Sequence, residues 1–130
     1  MSKKYLEARR RALLERPRKA REFLEALKTA LGARASIIVF GGRALRGIEA
    51  TEPRDLDLLI VVRDDDNPEQ VEELVHRLRP KGLPVDVIVA RLSELLESSV
   101  ARQMLEKRIV VHDPLGVETA LKKSIHMRQT

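Results

Sequence analysis

Apolar positions change their period several times along the chain, and each change marks an element. From Lys3 to Leu31 they recur at helical spacing: Leu6, Leu13 and Leu14 form one stripe, and Ala20, Phe23, Leu24, Leu27 and Leu31 form another. Pro17 predicts either two helices or one bent helix, and Gly32 a C-terminal stop. Ile37-Ile38-Val39-Phe40 is short, apolar and β-branched, hence strand-like, and so is Leu56–Val62 after a polar connection. Pro68–Arg79 returns to helical spacing with Val71, Leu74, Val75 and Leu78 inward. Asn67 is its expected N-cap, Pro68 fits the first turn, and Gln70 would complete a capping box. Leu83–Ala90 is a third strand. Ser93 can cap a helix carrying Leu92, Leu95, Leu96, Val100 and Met104, and Arg108–Val111 is a fourth strand. A last helix follows Asp113-Pro114 with Val117, Leu121 and Ile125 inward, fraying from Met127.

The run strand, helix, strand from Leu56 to Val89 predicts a right-handed crossover, so those two strands are parallel. Asp55 and Asp57 open the first of them, and Asp86 lies near the start of the second, so all three acids share one end of the sheet. The preceding strand ends in Gly41-Gly42. For that turn to reach the acids, the strand must run antiparallel to its neighbour. The expected fold is α+β, a small mixed sheet with helices packed mainly on one face. Its 130 residues make one domain: a basic helical segment over 1–34, a core over 35–113 and a C-terminal helix over 114–130.

Composition narrows the function classes. The 43% hydrophobic and 35% charged content is that of a globular chain. No apolar run approaches the ~20 residues of a membrane span, and no signal-peptide pattern opens the sequence, so a cytoplasmic protein is expected. With no cysteine, any metal must be held by oxygen or histidine. One Asn and three Gln beside abundant Lys, Arg and Glu point to a thermophilic source. Charge is uneven: residues 1–34 carry 11 Lys/Arg against 4 Glu. The basic face from Arg9 to Arg21 is a candidate for a polyanion such as nucleic acid. Without interleaved aromatics for base stacking, a solvated face is the favoured reading.

The chemistry concentrates between Ile37 and Val89. Gly41-Gly42 directly after a strand permits positive φ and close approach of a ligand. Ala44-Leu45-Arg46 can start a helical turn whose free N–H groups favour an anion. Asp55 and Asp57, two apart, leave the same strand face with Cα atoms roughly 6.5–7 Å apart. Such crowding is costly unless a cation neutralises it. Taken singly, Asp-Leu-Asp can be polar alternation at a strand start and Gly-Gly an ordinary turn. Asp64-Asp65-Asp66 reads as a loop ending at a helix start, not as a metal site. His76 is a surface residue by its position off the apolar stripe, and His112, after the fourth strand, a minor candidate for substrate contact.

Phe40-Gly41-Gly42, a gap of twelve, Asp55-Leu56-Asp57-Leu58 and then Val85-Asp86-Val87 resemble the signature of the DNA polymerase beta-type nucleotidyltransferase superfamily. The small size resembles its minimal nucleotidyltransferases. Many of that group have Ser where Gly42 stands, so one hydroxyl contact to phosphate is missing here. The resemblance implies that Asp55, Asp57 and Asp86 hold two Mg²⁺ ions, with Asp86 also helping to deprotonate the acceptor hydroxyl. It implies a triphosphate cradle from Gly41, Gly42 and the Arg43 backbone, with Arg43 and Arg46 as candidates for the charge on pyrophosphate. It further implies ATP as nucleotide substrate, and as partner a helical protein of the HEPN type (higher-eukaryote and prokaryote nucleotide-binding). The reaction would be AMP transfer to that partner, as the antitoxin of a toxin–antitoxin module, in a homo- or hetero-oligomer. The alternatives are transfer to a small-molecule hydroxyl and a non-catalytic module that masks its partner by contact.

Overall fold

The computed structural model describes residues 2–49 and 55–129, with side chains up to Ser124. Of the two outcomes Pro17 allowed, the chain takes the single helix: α1 (Lys3–Leu31) runs 29 residues through it. Ser2 Oγ accepts from the Tyr5 N–H at 3.2 Å, and Gly32, at φ 51°, closes the other end with its N–H on the Lys28 carbonyl. The second half of α1 buries Ala20, Phe23, Leu24, Leu27 and Leu31, the stripe that the spacing marks.

After a 3₁₀ turn over Gly32–Arg34 come β1 (Ala35–Phe40), a short α2 (Gly42–Arg46), β2 (Leu56–Val62) and α3 (Pro68–Leu78). Then follow β3 (Val85–Arg91), α4 (Leu92–Glu97), α5 (Ser99–Met104), β4 (Arg108–His112) and α6 (Val117–Gln129). The sheet order is β3-β2-β1-β4. β2 and β3 pair in parallel across α3, and β1 is antiparallel to both β2 and β4. The expected topology is the observed one.

Helices cover both faces of the sheet unequally. The larger core lies under α1 and α3, where Leu27, Phe23 and Val75 meet Ile37, Val39, Leu58, Ile60 and Val62. On the opposite face Leu95, Leu105, Val117 and Leu121, from α4 to α6, meet Ile38, Leu59 and Val61. The inward placing expected of Ile125 lies outside the described side chains. Strands β1 and β2 are buried on both faces, which explains why they read as unbroken apolar runs and not as alternation.

Several caps differ from expectation because distant acceptors won. Asn67 Oδ1 does accept from the Glu69 N–H at 3.0 Å, but Gln70 completes no capping box. Its Oε1 takes a hydrogen bond from Arg34 Nη2 at 3.2 Å instead, while the Asn67 N–H donates to Asp66 at 2.7 Å. Ser93 does not cap α4; its N–H donates to Asp64 Oδ1 at 3.0 Å, so an acid from the β2–α3 loop caps that helix. The single helix expected after Ser93 is two, divided at Ser98, whose hydroxyl accepts from the Ala101 N–H. His112 sits at the end of β4 opposite to Arg108 and donates through Nε2 to the Gly32 carbonyl at 2.6 Å, a structural contact.

Candidate active site

Register places the acids. Phe40 on β1 pairs with Asp57 on β2, and Asp57 pairs with Asp86 on β3, so the three form one row across the sheet. Partners in a row point to the same face, with neighbouring strands about 4.8 Å apart. Asp57 is half-buried, while Asp55 and Asp86 are exposed at the sheet edge. Asp55, two residues before Asp57, lies just outside the strand on that same side.

The glycine turn closes over this row. Gly41 adopts φ 71° and ψ −151°, a region open essentially to glycine alone. A Cβ at this position would overlap the Asp57 carboxylate, so the turn and the acid pack directly together. The Gly41 carbonyl accepts from the Ala44 N–H at 3.1 Å, which turns the chain into the five-residue α2. The result is a backbone turn from Gly41 to Arg43 stacked on a carboxylate, with Gly42 half-exposed beside it.

Arg43 and Arg46 go different ways. The Arg43 side chain is fully buried and donates from Nη1 to the Ile48 carbonyl at 2.7 Å, tying α2 to the chain that follows. Its charge still reaches Asp57 and favours the ionised carboxylate. Arg46, in the last turn of α2, is exposed.

The Asp57 carboxyl is pushed above the usual carboxylate range, first by burial, then by the charges of Asp86 and Asp55, against the opposing pull of Arg43. The three acids therefore share one electrostatic field. Among the described residues, however, no three His, Asp or Glu side chains are gathered closely enough to form a ready metal cluster. Residues 50–54 of the connection between turn and acids lie outside the described residues.

Two features near the row were not singled out from sequence. Arg108, at the start of β4, pairs with Phe40 and so extends the row on its far side. It holds Glu118 by two hydrogen bonds, at 2.7 and 2.8 Å, and the Leu105 carbonyl by a third. With Lys107, Ala44 and Glu106 it borders an open hollow of about 510 Å³ beside α2. A pair of cations heading a short apolar strand was the available signal. Beyond the acids, Leu59 and Ile88 follow Asp57 and Asp86 by two positions and so share their face. They floor an apolar groove of about 310 Å³, walled by Leu95, Val100 and Met104.

Comparison with known proteins gives the family and the fold. The sequence matches the family described as "Nucleotidyltransferase domain" over residues 20–111. No curated protein sequence matches the chain. Among solved structures, a chain from a toxin–antitoxin crystallised with AMP-PNP is 19% identical, with TM-score 0.52, covering 83% of this chain and 86% of that one. A proposed nucleotidyltransferase from Sulfolobus solfataricus is 18% identical, with TM-score 0.49, covering 77% and 82%. At 19% identity the likeness to the toxin–antitoxin chain speaks to fold alone. The family match spans most of the chain and contains Gly41, Gly42, Asp55, Asp57 and Asp86. This chain therefore belongs to the nucleotidyltransferase domain family and is a nucleotidyltransferase of α+β fold.

Proposed function

We propose that the enzyme transfers AMP from ATP to a hydroxyl of a partner protein, as the antitoxin of a HEPN-type pair, with Mg²⁺ held by Asp55, Asp57 and Asp86. One observation carries the reading: Asp57 and Asp86 are register partners, and the Gly41 turn packs on Asp57. A carboxylate pair and a backbone turn facing one another is what a metal-bound triphosphate needs. The donor set fits: three hard oxygen ligands, of which Asp57 is raised first by burial and then by the charges of Asp86 and Asp55, gain from a divalent cation. Because they do not form a closed cluster, they fit an ion shared with substrate phosphates better than a cage built by protein alone. When bound, such ions supply charge stabilisation to the attacking and leaving oxygens.

The chain's own residues then have separate tasks. The Gly41–Arg43 backbone receives the phosphates where no side chain intervenes. Buried Arg43 favours the ionised form of Asp57, against burial and the neighbouring acids, and fixes α2 through Ile48. Exposed Asp86 accepts the proton of the acceptor hydroxyl. The acceptor oxygen forms a bond to the α-phosphorus, the bond to the bridging oxygen breaks, and pyrophosphate leaves with that electron pair. Exposed Arg46, in the last turn of α2, and exposed Lys107, beside Ala44, suit the leaving charge. The apolar groove starting at Leu59 and Ile88 accommodates the uncharged part of a substrate.

The toxin–antitoxin neighbour agrees with this choice of acceptor in fold only. The experiment incubates the chain with ATP, Mg²⁺ and the purified protein encoded beside it in its genome. A mass gain of one AMP on that protein is expected. Inhibition of the partner without ATP would instead support masking by contact, and AMP on an added polyol or aminoglycoside alone would support a small-molecule acceptor.

A further inference from the structure

Helix α1 has a core-facing stripe that continues past the core. At 100° per residue, Tyr5 falls on the angular position of Phe23, and Leu6 on that of Leu24. Leu6 and Leu13 extend the seven-residue line of Ala20 and Leu27. The second half of this stripe is buried on the sheet, yet every residue from Ser2 to Ala12 is exposed. Tyr5 is 51% and Leu6 53% exposed, on a rigid helix whose first three turns run about 16 Å at 1.5 Å per residue. An apolar stripe that is half used by its own core and half bare is a surface awaiting a second protein.

Its charge says which kind. Residues 3–21 hold nine Lys or Arg against Glu7 and Glu15. Lys3 and Arg10 flank the stripe on one side, and Arg9 falls inside it. At its root Arg16 is only 7% exposed, and its Nε and Nη1 have no hydrogen-bond partner among the described residues. A partner carboxylate near this point would balance that charge. A second copy of the chain would bring the same positive charge against itself. A lipid surface would have to take Arg9 into its apolar layer, and a polynucleotide has no use for Leu6 and Leu13.

We infer that the first half of α1 is the docking arm for an acidic protein that offers an apolar groove edged with carboxylates. This deepens the reading of a protein acceptor and rests on it: the arm would hold the partner while the sheet edge modifies it. The test uses the full chain and, as probe, the purified protein encoded beside it, by calorimetric titration at low and high salt. Tyr5→Glu/Leu6→Glu and Arg9→Glu, all at exposed positions, are expected to weaken binding at least about tenfold. Wild-type affinity should fall with salt, and the thermal shift given by ATP with Mg²⁺ should stay as in wild type. Equal binding by the variants and wild type overturns the inference, and so does no binding by wild type. AMP transfer to the probe, measured separately, decides the functional reading whichever way the arm behaves. Arm-dependent capture of RNA or phosphatidylglycerol vesicles in place of the probe, or arm-dependent dimerisation of the chain, also overturns it.

Discussion

The two ends of the sheet treat their acids in opposite ways. At the end where β1 starts and β2 and β4 finish, Asp64, Asp66 and Asp113 are engaged by the chain itself. Asp66 accepts two hydrogen bonds from Arg34 at 2.9 Å, and that contact holds its carboxyl below the usual range. Asp113 is more embedded: burial alone would raise it, but the N–H groups of Glu118 and Val117 and the Ser36 hydroxyl together bring it below the usual range. At the other end Asp57 is half-buried beside other acids, and burial first, then the charges of Asp86 and Asp55, raise its carboxyl. Residue type is the same; the partners decide. Where an acid is satisfied by its own chain it holds structure, and where it is half-buried among other acids it is a candidate for a ligand.

The sharpest way to break this contrast is to remove one acid from each end. Asp57→Asn should reduce nucleotidyl transfer to background, and Asp86→Asn should cost about 10²–10⁴-fold, while neither lowers the melting temperature. Turnover near wild type in either variant would remove Asp57 or Asp86 from the chemistry. Asp113→Ala should do the reverse. It takes the cap from α6 and leaves the buried Ser36 hydroxyl without its acceptor, so about 2–4 kcal/mol of stability is lost. Chemical denaturation reads the loss directly, and per-molecule activity of the folded fraction should change little.

Gly41→Ala joins the two effects at smaller size. Its backbone conformation costs a non-glycine residue about 1–3 kcal/mol, and the added methyl displaces the Asp57 carboxylate. Transfer should fall with stability, and a variant as active as wild type would show that turn and acid do not act together. The smallest expected effect is in the pH dependence of stability. Asp57, with its folded-state value raised, destabilises the fold above that value, and the cost disappears as pH falls through it. Asp66, Asp113 and Glu118, all lowered, contribute stability that is complete above the ordinary carboxylate range. That contribution is lost as pH falls through their folded values. Asp57→Asn should therefore be more stable than wild type at neutral pH, with the difference narrowing on acidification. Thermal melts from neutral pH to below the carboxylate range measure it.

The topology was legible because it follows from local signals: Asn67-Pro68 starts α3, β-branched runs mark β1 and β2, and a crossover has one hand. The acid row was legible for the same reason, since strand period and parallel pairing together align Asp57 with Asp86. What the sequence hid were partners chosen at long range. Nothing local says that Asp64 will cap α4, or that Gln70 will leave its helix start for Arg34. The interior fate of the Arg43 side chain was equally hidden, because an arginine after Gly-Gly reads as exposed until the Ile48 carbonyl is placed beside it. The Arg108–Glu118 pair depends on β4 and α6 meeting, which the spacing alone does not disclose.

Strand β4 joins the sheet only through β1, is half-exposed at every position, and slips register between Ile37 and Ile38. Its pairing must wait until the chain has returned from Phe40 to Arg108, so it closes the longest loop in the sheet. In amide-exchange terms, the pairing of edge strand β4 with β1 is expected to show lower protection than that of β1 with β2. Asp57 sits on a strand expected to exchange slowly, and the Arg108–Glu118 clasp on one expected to exchange faster. The hollow beside α2, lined by Lys107, Arg108 and Val110, should therefore open together with β4, while Asp57 on β2 keeps its place.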